Sequence, residues 1–210
     1  MNIIVTGASR GVGHALVREF AKDPAHHIVA IARDIRALND LQGACLNDQE
    51  DAHVYPVGYD LTEAAFPGRL LNDIEATIGK ADILINNAGL LIQKPFSDVS
   101  PEDIDRLLDV NFKSVVLLIQ ALLPYMNPGS HIVNIGSMGV FRVVSNLPEW
   151  LFTVRARERW PSLPSAWQRN SGTRAFRSTC WRWALWIHRC CRKHFLAIRH
   201  LYRRLKWPPS

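Results

Sequence analysis

Apolar residues come in short unbroken runs, separated by longer stretches where they recur every three or four positions. Such runs stand at 2–6, which shows no polar alternation, and at 27–32, and 53–57, 82–85 and 131–135 read as three further strands. Each predicts a short strand buried on both faces, as in a sheet covered by helices. Between them, Val12, Leu16, Val17 and Phe20 have helical spacing over 12–22, as do Phe66, Leu70, Leu71, Ile74 and Ile78 over 63–78. Ser100 before Pro101, with Glu102 and Asp103 next, predicts a capped helix start. A longer helix over 111–126 is apolar on almost every side, through Val115, Val116, Leu117, Leu118, Ile119, Leu122 and Leu123. Such a helix meets the sheet on one face and something else on the other, and a partner subunit is the simplest candidate. The first two strands, joined by one helix, predict a right-handed βαβ unit.

The first strand stops at Thr6-Gly7, and further glycines stand at 11 and 13, in the spacing T-G-x-x-x-G-x-G. Glycine there allows a tight turn, lets a pyrophosphate approach bare backbone and lets helix and strand pack closely. The helix that follows offers its N-terminus to the anion. Gly7, Ser9, Arg10, Gly11, Val12 and Gly13 are therefore candidate cofactor-binding residues. The end of the second strand is where such folds meet the adenosine ribose. An acidic residue there suits a free 2′-hydroxyl, whereas a basic one suits a 2′-phosphate. Arg33 occupies that place and Arg10 the glycine loop, which favours NADP and leaves NAD as the alternative.

Further motifs fall at the ends of successive strands. Asp60 and Leu61 follow the third, Asn86-Asn87-Ala88-Gly89 follows the fourth, Asn111 opens the long helix, and Ser137 follows the fifth. Together with the glycine loop, this order resembles the short-chain dehydrogenase/reductase family over roughly residues 1–140. The resemblance implies an α/β fold with a doubly wound parallel sheet and hydride transfer between a nicotinamide cofactor and a carbonyl or alcohol. It implies that Asp60 and Leu61 flank the adenine, and that Asn87, Ala88 and Gly89 hold the fourth strand beside the cofactor. Asn111 would kink its helix and help order a water relay, and Ser137 would hydrogen-bond the substrate carbonyl. A small-molecule substrate and homo-oligomeric assembly come with the family.

Charge divides the chain. Its 210 residues suffice for one α/β domain with a core, and the net charge is +6. Residues 1–141 carry 10 Lys and Arg against 17 Asp and Glu, whereas 142–210 carry 15 against 2. All seven tryptophans and three of four cysteines lie in the second part. The expected organisation is a dinucleotide-binding domain at 1–141 and an aberrant basic tail at 142–210, irregular or partly helical. Cys190-Cys191 with His188 and His194 lacks the usual metal-ligand spacing, so no metal is expected. A basic tail for nucleic acid or acidic membranes is an alternative, although nucleic acid is not the favoured partner. With no basic-flanked apolar leader and no apolar run of about 18 residues, a cytoplasmic location is expected.

The family's proton donor is a tyrosine with a lysine four residues later, soon after the serine strand. Here Tyr202 and Lys206 have that spacing, but they lie 65 residues beyond Ser137. A catalytically inactive dinucleotide-binding chain is therefore a second reading. A displaced reading frame accounts for the loss. If codons start at the third base of those used, Phe141 to Trp160 can be back-translated to give S-G-S-K-Q-F-A-G-M-A-V-Y-S-A-S-K-G-A-V. The missing tyrosine then straddles Phe152 and Thr153, and the lysine straddles Ala156 and Arg157. The same shift from Thr179 to Arg192 permits V-N-L-L-A-L-G-A-V-D-T-P-M-L, resembling the family's next strand and loop. One base lost near Gly139 yields both.

Overall fold

Every unbroken apolar run forms a strand. β1 (Asn2–Thr6), β2 (His27–Ala32), β3 (His53–Gly58), β4 (Ala81–Asn86) and β5 (Met126–Ile135) pair in parallel, and β6 (Arg177–Trp181) joins the outer edge of β5. The order across the sheet is β3-β2-β1-β4-β5-β6. The chain thus builds outward from β1 on one side, returns, and builds outward on the other. That reversal, between β1 and β4, makes the sheet doubly wound and places a crevice at the carboxyl ends of the central strands. The computed structural model describes residues 1–63, 66–136 and 177–181.

Strand periodicity sorts the core into two layers. Ile3, Val5, Ile28, Ala30, Ile83, Ile85 and Val133 face one way, against Leu16, Val17 and Phe20 of α1 (Gly11–Phe20) and Leu38, Leu41 and Cys45 of α2 (Ile35–Asp48). Their neighbours Ile4, Val29, Ile31, Leu84 and Ile132 face the other way. They meet Leu70 and Ile74 of α3 (Phe66–Thr77), and Leu118 and Leu122 of α5 (Ser114–Leu122). Successive side chains on a strand point to opposite faces, so runs without polar alternation are what two covered faces require.

Ser100 caps α4 (Pro101–Leu108) as its sequence predicts. Its hydroxyl accepts from the Asp103 N–H at 3.2 Å, and Asp103 accepts from the Ser100 N–H at 3.2 Å. A π-helical turn, Asp109–Lys113, links α4 to α5 and carries Asn111.

Four elements depart from the sequence reading. Helix α2 is not foreseen, because its buried line of Leu38, Leu41 and Cys45 is short and Gly43 interrupts it. The helix expected over 111–126 is not buried all round. Val115, Leu118 and Leu122 are buried, whereas Leu117 is 37% exposed. The whole stretch Pro101–Tyr125 is long and apolar enough to cross a membrane by length and composition, and its Leu118 and Leu122 pack in the core on one face of the sheet. Strand β5 begins five residues before its apolar run, at Met126, where it pairs with Ala81 across a register shift. Finally, part of the tail expected to be irregular or partly helical is strand β6, which satisfies the otherwise open edge of β5. Tyr202, Lys206, Cys190, Cys191, His188 and His194 lie outside the described residues, as does the boundary expected at residue 141.

Candidate functional site

The crevice between β1 and β4 is closed at its base by one threonine. Thr6, 1% exposed, accepts hydrogen bonds from the backbone N–H groups of Asn87 and Ala88, each at 3.0 Å. Its hydroxyl donates to the Ile85 carbonyl at 3.3 Å. The Asn87 side-chain amide returns the connection, donating to the carbonyls of Thr6 at 3.1 Å and Gly7 at 3.0 Å. Ala88 packs beside the core, and Gly89 continues the loop. The motif expected to hold β4 beside the cofactor therefore ties the β1 turn to the β4 turn.

Two glycines are required by this closeness. Gly7 has φ +66°, and a Cβ there would lie 2.8 Å from the Ala88 Cα. At Gly13 a Cβ would meet the Gly7 carbonyl oxygen at 2.4 Å and the Asn87 amide at 2.6 Å. The loop of Ala8, Ser9 and Arg10 then opens into Gly11 and Val12, the first residues of α1. Arg10 makes no side-chain cap, and the first turn of α1 contains no acidic residue. The positive end of the helix dipole is left uncompensated beside bare backbone, which suits a phosphate.

At the next strand ends, Arg33 and Asp60 approach one another, Nη1 to Oδ2 at 3.9 Å, with the Arg33 side chain 74% exposed. Asp60 Oδ1 accepts from the Thr62 N–H at 2.9 Å and the Thr62 hydroxyl at 2.7 Å. Burial pushes the Asp60 carboxyl up, but these bonds and the Arg33 charge outweigh it, leaving the group below the ordinary carboxylate range. Leu61 is buried in the core behind it. The residues therefore fit an adenine dinucleotide: a backbone cradle and helix end for the pyrophosphate, and the Asp60 carboxylate with Arg33 for the adenosine end.

Asn111 is 2% exposed in the π-helical turn. Its Oδ1 accepts from the Leu90 N–H at 3.0 Å and its Nδ2 donates to the Leu90 carbonyl at 2.9 Å. The side chain thus clamps the loop after β4 in both directions. Ser137 lies one residue beyond Gly136, outside the described residues. Sequence reasoning misses the Thr6 hydroxyl, Leu90, and a buried pair in which Asn86 Nδ2 donates to Asn134 Oδ1 at 2.8 Å. The two asparagines face one another in the β4–β5 register, which only the strand pairing reveals.

Fold and glycine turn together define an α/β protein of the doubly wound type. A sequence profile described as short chain dehydrogenase matches residues 1–148, and the chain belongs to that family. It is 34% identical over 149 residues to a fatty acyl-CoA reductase from Mycobacterium tuberculosis, an alignment covering 69% of this chain and 50% of the relative. It is also 34% identical over 141 residues to an NADP-dependent 3-hydroxy acid dehydrogenase from Escherichia coli, covering 65% and 54%. The chain spans about half the length of the curated relatives it matches. A short-chain dehydrogenase/reductase structure from Serratia marcescens superposes with a TM-score of 0.76 at 25% identity, covering 85% of this chain and 71% of the other.

The threonine junction yields a direct expectation. Thr6→Val conserves shape but leaves two partly buried N–H groups without their acceptor, at up to about 1–3 kcal/mol each. Urea unfolding should show a loss of at least ~2 kcal/mol for Thr6→Val and a clearly smaller loss for Thr6→Ser. Equal losses for the two variants would show that the hydroxyl does not matter.

Proposed function

We propose that this chain binds NADP(H) at the carboxyl edge of its sheet and derives from an oxidoreductase that moves hydride between that cofactor and a small carbonyl or alcohol. The observation that carries the reading is the cradle of Gly7 and Gly13 opening onto an acid-free helix N-terminus. Arg10 and Arg33 favour a 2′-phosphate on the ribose, and the NADP dependence of the E. coli relative supports that choice. NAD is the alternative cofactor. Gly7, Ser9, Arg10, Gly11, Val12 and Gly13 would hold the pyrophosphate. Arg33, Asp60 and Leu61 would take the adenosine, and Asn87, Ala88 and Gly89 the strand beside the nicotinamide. A cytoplasmic location belongs to the same proposal, as does a second copy of the chain against the outer face of α5, where Leu117 is exposed.

When bound, the nicotinamide supplies or accepts the hydride. Ser137 would orient the substrate oxygen at the end of β5, while Asn111 holds the facing loop through Leu90. A proton must also reach the carbonyl oxygen. A phenol of pKa ~10 does this near neutrality only beside a cation. Residues 138–176 contain neither tyrosine nor lysine. The chain as written therefore binds cofactor without efficient turnover, and the lost base near Gly139 explains why.

Two expectations follow from the arginines and the frame. NADPH should bind roughly ten- to a hundredfold more tightly than NADH, since a charge-assisted contact is worth ~1.5–3 kcal/mol. In the same titration Arg33→Asp should reverse the preference, and equal binding of both cofactors by the unaltered chain would refute the assignment.

The coding DNA tests the frame. Phe152 should be TTT, Thr153 ACA, Ala156 GCA, and Arg157 an AG-starting codon. TTC at Phe152 or CG at Arg157 ends the frame argument. With agreeing codons, restoring one base should produce carbonyl-dependent NADPH oxidation, whereas the chain as written should show none above background.

A further inference from the structure

A hollow of about 220 Å³ opens beside the carboxyl end of β3, lined by Arg33, Gly58, Tyr59, Asp60, Glu63 and Arg69. The function proposed above uses Arg33 and Asp60 and leaves Arg69 and Glu63 without a role. Arg69 is built on a rigid element, for the next residue of α3, Leu70, is fully buried under the sheet. Among the described residues, no carboxylate lies within 4.0 Å of the Arg69 guanidinium, whereas Arg18 pairs with Asp48 and Arg33 with Asp60.

The carboxylate that shares the hollow is already committed. Asp60 Oδ1 takes both Thr62 donors and its Oδ2 faces Arg33. The turn is closed by the Glu63 N–H, which donates to the Asp60 carbonyl at 3.1 Å. Thr62 thus satisfies one oxygen of Asp60, Arg33 lies only loosely against the other, and among the described residues no carboxylate pairs with Arg69 on the same hollow. Two guanidiniums suit a dianionic phosphate monoester, whose oxygens accept several charge-assisted bonds. A neutral ribose hydroxyl gives the second cation nothing to balance. Glu63 opposes the same anion, so its charge limits rather than creates the preference.

We propose that Arg69 is a second specificity-determining residue, acting with Arg33 on a phosphate monoester carried by the ribose of the bound dinucleotide. The inference rests on the NADP(H) reading and names a residue that reading does not require.

The test is direct titration of the full-length chain with NADPH and NADH, in the unaltered protein and in Arg69→Gln, Arg69→Lys, Glu63→Gln and Arg33→Gln. Arg69→Gln should weaken NADPH about three- to tenfold and change NADH less than about twofold. Arg69→Lys should retain part of the preference, since it keeps the charge. Glu63→Gln should tighten NADPH alone. If Arg33→Gln lowers the NADPH preference while Arg69→Gln leaves it unchanged, the NADP(H) reading stands and the role of Arg69 is overturned. If the unaltered chain shows no preference and Arg33→Gln changes nothing, both fall together. Equal weakening of both cofactors by Arg69→Gln, with circular dichroism unchanged, would also overturn the role in phosphate selection.

Discussion

The Thr6 hydroxyl joins the two halves of the sheet at the place where the winding reverses. One oxygen donates to Ile85 and accepts from Asn87 and Ala88, so its full bonding capacity is used within a buried site. The turn after β1 and the turn after β4 are thereby set at one separation. Gly7 and Gly13 exist at that separation because any side chain there would collide with Ala88, Asn87 or the Gly7 carbonyl. The geometry of the glycine turn is thus a consequence of strand pairing, and Asn111 extends the same constraint by clamping Leu90 at the far end of the loop.

Much of this fold is legible in the sequence because parallel strands covered on both sides leave an unmistakable signal. The runs at 2–6 and 27–32 coincide with β1 and β2, and the Ser100 cap starts α4 where expected. Helix α2 escapes notice because three buried residues across fourteen positions give a thin stripe. The residues that matter at long range escape for another reason. The partners of Thr6 lie 81 and 82 residues along the chain, so only strand order brings them together. Arg69 is likewise an ordinary exposed helix residue until α3 returns beside the end of β3.

The glycine loop, Arg33, Asp60 and the Asn87–Gly89 turn are recognisable one by one, and the structure brings them to one edge of the sheet. Ser137 stands four residues before the point where the charge balance changes sign, and the expected proton donor belongs beyond it. There the local pattern no longer matches a sheet-covering helix. Strand β6 is the exception: the open edge of β5 supplies a row of backbone partners that the tail's own pattern does not advertise.

The central claim is that the carboxyl edge, held by Thr6, is the dinucleotide site. Amide hydrogen exchange of the full-length chain with and without saturating NADPH tests it most directly. The account predicts slowed exchange in residues 7–13 and 87–90. It predicts no change at the opposite edge, where the His27 and His53 rings stack at 4.5 Å. Protection confined to that opposite edge, or unchanged exchange in both loops at saturating NADPH, would contradict it.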